Sequence, residues 1–96
     1  MNDFESKLKE IVEIDKTWED TWEFQNYSGY TKFYSFLDNT YCVSMCEHKN
    51  SNLKSYVFSK GGKILCYGYD EKGLFKYIKK VVRKAKKEAK RKWKLK

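Results

Sequence analysis

Cys42, Cys46, Cys66 and His48 are the residues of this chain that most readily bind a transition metal. Three thiolates and one imidazole suit a tetrahedral zinc site, in which each ligand lies about 2.0–2.3 Å from the ion. However, Tyr41–Met45 has the composition of a strand, and strand residues four apart are separated by about 13 Å. The sequence therefore predicts free thiols and no metal site.

Residues that could support catalysis are sparse. The chain has one histidine, and it has neither a glycine-rich phosphate loop nor a Gly-x-Ser-x-Gly motif. Asp15, Glu19, Asp20 and Glu23 form an acidic cluster, but their spacing matches no calcium-binding loop. We therefore expect a protein that is not an enzyme and that has no cofactor.

The strongest chemical signal is positive charge near the C-terminus, in a chain of net charge +8. Residues 74–96 hold twelve Lys or Arg against the single acid Glu88, a net charge of +11. Like charges four residues apart on a helix repel one another, and phosphate groups would remove that cost. The expected partner is therefore nucleic acid, RNA or DNA, or a nucleoprotein complex. The predicted contacts are Lys80, Arg83, Lys84, Lys86, Lys87, Lys90, Arg91, Lys92 and Lys94.

The N-terminal quarter has the opposite charge and contains two tryptophans. Residues 1–24 hold eight acids against three lysines, a net charge of −5. Exposed tryptophan within a charged rim is typical of the energetically dominant residues of protein interfaces. A protein target in the host is therefore the alternative partner, and its predicted contacts are Trp18, Glu19, Asp20, Trp22 and Glu23.

Composition also bears on the compartment. The chain has no run of 18 apolar residues, and residues 1–5 do not resemble a secretory leader. Three cysteines without the spacing of a disulfide scaffold fit a reducing environment. We therefore expect a cytoplasmic protein without a membrane partner, while the oligomeric state stays open.

The hydrophobic pattern predicts a helix at the N-terminus. Apolar residues from Phe4 to Val12 fall at helical spacing, and this helix is expected to end near residue 16. Residues 16–25 are ambiguous: Trp18 and Trp22 are four apart as in a helix, whereas alternation of Trp22 with Phe24 favours an extra strand near residues 21–27. Residues 28–29, Ser-Gly, are predicted as a turn.

From Tyr30 onward, alternating apolar residues predict a four-stranded antiparallel meander. Turns at residues 38–39 and 61–62 and a loop over residues 49–52 place Phe36 opposite Tyr41 and Phe58 opposite Leu65. The other face is then small and mostly polar. The predicted core face comprises Tyr34, Phe36, Tyr41, Val43, Met45, Tyr56, Phe58, Leu65 and Tyr67.

The last element is predicted as a long basic helix that begins at residues 70–71. Its apolar stripe runs through Phe75, Ile78 and Val82 and then weakens to alanine, so residues 84–96 are expected to project as a basic end. The expected architecture is a single α+β domain over residues 1–96. It has an N-terminal helix, an antiparallel sheet and the basic helix packed on one sheet face.

In size, lysine bias, tyrosine content and charge asymmetry, the chain resembles small accessory proteins of phages and mobile elements. This resemblance implies an alternative function, an anti-CRISPR-like inhibitor that docks on a host nucleic-acid enzyme. The order of elements is also similar to that of the double-stranded-RNA-binding domain, whose last helix begins with a Lys-Lys-x-Ala-Lys run. Here the matching motif, residues 86–90, lies well inside the predicted helix and not at its start, so no family is assigned.

Overall fold

The structure, a computed structural model, describes residues 3–49 and 53–94, with side chains up to Ala89. Its five strands form one antiparallel sheet in chain order, with a helix at each end of the chain, which confirms the α+β prediction with one strand more than the meander. Most of the predicted loop 49–52 lies outside the described residues. The elements are α1 (Asp3–Ile11), β1 (Ile14–Phe24), β2 (Tyr27–Phe36), β3 (Tyr41–His48), β4 (Lys54–Lys60), β5 (Lys63–Gly68) and α2 (Glu71–Lys94).

Helix α1 is shorter than predicted, because β1 starts where the helix was expected to continue. The Val12 N–H donates a hydrogen bond to the Leu8 carbonyl oxygen at 3.0 Å, and Ile14 already pairs with Phe36 of β2. The predicted helix end near residue 16 is therefore wrong. The extra strand expected near residues 21–27 is present as the second half of β1. Hydrogen bonding of β1 to β2 outweighs the helical preference that the four-residue spacing of the tryptophans suggests.

The turn predicted at residues 28–29 is wrong, because both residues lie inside β2. The chain turns instead at residues 25–26, where Gln25 has a φ of +55°. Gly29 is required by close packing: a Cβ there would clash with the Glu47 carbonyl oxygen and lie 2.7 Å from the Trp22 ring. Glycine at this position therefore makes room for a tryptophan on the neighbouring strand.

The registers of the central strands agree with the prediction. Phe36 pairs with Tyr41 across the hairpin between β2 and β3, and Met45 pairs with Tyr56 in the next pair of strands. The hairpin holds Leu37, Asp38 and Asn39 at positive φ, so the left-handed stretch includes a leucine as well as the expected Asp and Asn. Matching hydrophobic faces on three strands determine this register.

A β-bulge between β4 and β5 changes the predicted register. Ser59 pairs with Ile64 as the turn requires, but Phe58 then pairs with Cys66, so the predicted pairing of Phe58 with Leu65 is wrong. One extra residue moves every following side chain to the other face of the sheet. Tyr67 is consequently 81% exposed, and its predicted place in the core is also wrong.

The core lies between the sheet and both helices. The Phe4 ring of α1 lies within 5.1–5.6 Å of the rings of Tyr34, Tyr56 and Phe75, measured between centroids. Tyr41 and Leu65 of the predicted core face are partly buried at its margin. The buried residues are Phe4, Leu8, Val12, Tyr34, Phe36, Val43, Met45, Tyr56, Phe58, Leu74, Phe75, Ile78 and Val82.

Tyr34 makes stability sensitive to alkaline pH. Burial raises the pKa of its hydroxyl from 10.0 to about 12, and nearby acids including Glu5 add to the effect. Because the folded state holds this proton more tightly, the stabilisation is complete below pH 10 and is lost as the pH rises toward 12. In Tyr34→Phe, the slope of unfolding free energy against pH should be shallower by up to about 1.4 kcal/mol per pH unit.

Chemical denaturation at several values between pH 10 and pH 12 measures this slope. Every other group is the same in both proteins, so the comparison isolates the tyrosine. Tyr27→Phe is the matched control, because Tyr27 is 60% exposed in the folded protein. Equal slopes in the wild type and Tyr34→Phe would contradict the prediction.

Candidate nucleic-acid interface

The solvent-facing side of α2 carries a continuous array of cations. Five of them recur at intervals of 4, 3, 4 and 4 residues and therefore lie along one side of the helix. From Lys72 to Lys87 the array extends about 22 Å, at 1.5 Å per residue. We call the following eight exposed residues the basic face: Lys72, Lys76, Lys79, Lys80, Arg83, Lys84, Lys86 and Lys87.

The core determines which way the basic face points. Leu74, Phe75, Ile78 and Val82 are buried against the sheet and α1, so the opposite side of the helix is directed to solvent. The helix begins at a cap in which the Gly73 N–H donates a hydrogen bond to Asp70 Oδ1 at 3.1 Å. The cations are therefore presented by a helix that is anchored at its start and along its apolar side.

Helix α1 extends the basic face on one flank. Phe4 packs on Phe75, and Ile11 lies beside Val82, so the two helices run alongside each other in the same direction. Between them lies a shallow groove with an apolar floor of Ile11 and Phe75. Its rim comprises Lys7, Glu10, Lys72, Lys76 and Lys79. Four of these five rim residues are lysines, so the groove has the same charge as the helix face.

The cations of the basic face have no ion-pair partner among the described residues. Across the described residues a single ion pair is present, between Lys54 Nζ and Glu47 Oε1 at 3.8 Å, and it lies on the sheet. The potentials of neighbouring cations on a surface add, and the resulting positive potential attracts a polyanion. The basic face therefore has the charge and the accessibility that binding to phosphates requires.

The structure places the predicted contacts in two groups. Lys80, Arg83, Lys84, Lys86 and Lys87 are exposed members of the basic face. The predicted contacts from Lys90 to Lys94 continue α2, with side chains outside the described part of the chain. That residues 84–96 project from the domain stays a prediction, although Ala89 of the apolar stripe is exposed.

Sequence reasoning missed the first turns of the basic face. Lys72, Lys76 and Lys79 lie on the same line of the helix as Arg83 and Lys87 but were not among the predicted contacts. Their periodicity with Arg83 was the signal that could have identified them. Lys7 has no such signal, because only the packing of α1 beside α2 brings it to the groove.

The acidic tryptophan segment does not form one surface. It lies in β1, where alternate residues point to opposite faces. Trp18, Asp20 and Trp22 pair with residues on the face away from the helices, whereas Glu19 and Glu23 lie on the helix side. The Trp18 ring stacks on Phe33 at 5.0 Å, and the Trp22 ring meets His48 edge-on at 5.0 Å. Both tryptophan rings therefore contact a neighbouring side chain of the sheet, and Trp18 is still 39% exposed.

The cysteines are also separated by the sheet. Cys42 and Cys46 lie on the face away from the helices, whereas the bulge turns Cys66 toward the core. Within residues 3–49 and 53–94, no three His, Cys, Asp or Glu side chains come together as a metal site. Burial raises the pKa of the Cys42 and Cys66 thiols, which disfavours the reactive thiolate.

In the described part of the chain, no helix has the length and apolar character needed to cross a membrane. No protein-family model, curated protein or solved structure matches this chain at a significant level.

Proposed function

We propose that this protein is a non-enzymatic binding protein that engages nucleic acid, free or within a nucleoprotein complex, through the basic face of α2. The observation that supports this proposal is the array of eight exposed cations over residues 72–87, none of which forms an ion pair within the described residues. A surface of this kind gains free energy when phosphates replace its counterions.

The composition of the basic face supports recognition of phosphates. Seven of its eight residues are lysine, and the other is Arg83. Lysine presents a point charge that suits phosphate, whereas the planar fork of arginine suits hydrogen bonding to guanine. We therefore expect binding that depends little on base sequence.

The alternative, an anti-CRISPR-like inhibitor that docks through the acidic tryptophan segment, has less support from the geometry. Strand alternation divides the five residues between two faces of the sheet, so they do not form one docking surface. An inhibitor that uses the basic face to occupy a nucleic-acid path remains compatible with the proposal.

A salt titration tests the proposal directly. If four to six phosphates are contacted, the logarithm of the binding constant should fall with the logarithm of salt concentration at a slope of roughly −3 to −5. Fluorescence anisotropy with labelled single-stranded and duplex oligonucleotides of unrelated sequence provides the measurement. A slope near zero would contradict phosphate binding.

A second experiment distinguishes free nucleic acid from a nucleoprotein target. The tagged protein is recovered from native host lysate with and without nuclease, and the bound material is identified by mass spectrometry and RNA sequencing. Recovery of one defined complex that resists nuclease, together with no affinity for bare oligonucleotides, would assign the basic face to a nucleoprotein. Recovery of neither nucleic acid nor a nucleoprotein would contradict the proposal.

A further inference from the structure

Within residues 3–49 and 53–94, no helix or other strand covers the face of the sheet opposite the helices, here called the outer face. One line of directly paired residues crosses all five strands on this face: Trp18, Phe33, Ser44, Val57 and Tyr67. We call these residues the cross-strand row. At about 4.8 Å per strand the row is about 19 Å long. It exists only because β1 adds a tryptophan at one end and the bulge turns Tyr67 outward at the other.

The rows on either side of the cross-strand row consist mainly of small side chains. One of these rows crosses the strands from Lys16 through Ser35, Cys42 and Ser59 to Ile64. The other runs from Asp20 through Thr31, Cys46 and Ser55. Small side chains allow the close approach of about 10 Å that packed sheets adopt. The outer face therefore presents aromatic side chains at both ends of the cross-strand row and small side chains elsewhere, so a second sheet can approach it.

Charge distinguishes the outer face from the rest of the molecule. In these three rows the charged residues are Lys16 and Asp20, whose charges cancel, whereas the chain as a whole carries +8. Two copies of a strongly basic protein repel each other least when their neutral faces meet and their basic helices point apart.

We propose that the outer face binds the outer face of a second copy of this chain, forming a two-fold symmetric dimer of packed sheets. With the symmetry axis parallel to the strands, β1 of one copy lies over β5 of the other. The Trp18–Phe33 pair then meets Tyr67, which is 81% exposed in the single chain. The three rows cover about 500 Å² per copy, so the dimer buries about 1,000 Å², near the lower limit for a specific interface.

The same observations argue against nucleic acid as the occupant of the outer face. The Trp18 ring has Phe33 stacked on it at 5.0 Å and Lys16 Nζ 5.6 Å from its centroid, so its faces are not free for bases. One cation balanced by one acid also provides little attraction for phosphates. The dimer does not depend on the proposed function, because the basic face lies on the other side of the sheet.

Sedimentation equilibrium over a range of concentrations tests the dimer. The wild type should approach twice the chain mass of 11.6 kDa. Tyr67→Glu should raise the dimer dissociation constant by about tenfold or more, since the two-fold axis buries two unpaired carboxylates. Added salt should tighten the dimer by screening repulsion between the copies, which is the reverse of its effect on phosphate binding.

Tyr69→Glu is the matched control, because Tyr69 is 70% exposed and lies after the end of β5, outside the cross-strand row. It introduces the same charge and should leave the dimer intact. A wild type that stays monomeric at every concentration would overturn the proposal, and so would a dimer equally tight in both variants. Binding of single-stranded oligonucleotides that requires Tyr67 in a monomeric protein would overturn it in favour of nucleic acid.

Discussion

Replacing Lys76, Arg83 and Lys87 together by glutamine should weaken nucleic-acid binding by roughly two to three orders of magnitude at about 0.1 M salt. These residues lie on one line of α2, are exposed and form no ion pair within the described residues. Each phosphate contact contributes about 0.9 to the salt slope on duplex DNA, so the slope should become shallower by roughly two to three. Anisotropy titrations at several salt concentrations measure both quantities.

Two matched variants separate the position of the charges from their number. Glutamine at Lys9, Lys49 and Lys63 removes the same net charge from exposed sites outside the basic face and should change affinity by less than about threefold. Replacing Lys76 and Lys87 by arginine keeps the charge and should preserve binding, because phosphate contacts need little geometric precision. Equal losses in both glutamine variants would show attraction by net charge alone and would refute a defined interface.

Ile78→Ala should lower the free energy of unfolding by about 2–5 kcal/mol. Ile78 is fully buried in the core between α2 and the sheet, and its truncation leaves a cavity there. Domains of this size have a total stability of roughly 5–15 kcal/mol, so the loss is a large fraction of the whole. Urea denaturation followed by circular dichroism provides the measurement.

Ile64→Ala is the control for this substitution, because Ile64 is 59% exposed on β5. The same change there should cost about 1 kcal/mol or less in dilute protein, mainly through the lower strand propensity of alanine. If Ile78→Ala were as stable as Ile64→Ala, helix α2 would not be packed on the sheet. The direction of the basic face would then lose its structural basis.

Local periodicity was sufficient to predict most of the core. Tyr34, Phe36 and Val43 alternate on strands whose two-residue turns leave one register with a continuous apolar face. Ile78 and Val82 recur at helical spacing, so their burial also follows from the sequence. Alternation of apolar residues determines the strand register, because a shift of one residue would expose the entire apolar face of the strand to solvent.

The charge of the candidate site was likewise evident from the sequence, but its extent was not. Residues 74–96 are conspicuously basic, and that composition led to the predicted contacts from Lys80 onward. The structure moves the start of the basic face to Lys72, because the burial of Leu74 and Phe75 turns the intervening lysines outward together. Lys7 joins them only through the packing of α1 beside α2.

Two features of the sheet were decided by tertiary structure alone. Residues 16–24 carry both helical and strand spacing, and the choice of strand comes from hydrogen bonding to β2, which lies later in the chain. The bulge that turns Tyr67 outward likewise arises from the pairing of β4 with β5, in which the register shifts by one residue. Sequence by itself thus determined the core face of β2, β3 and β4 and the charge of α2. The outer face depended on non-local pairing, whose free energy is shared between segments distant in the chain.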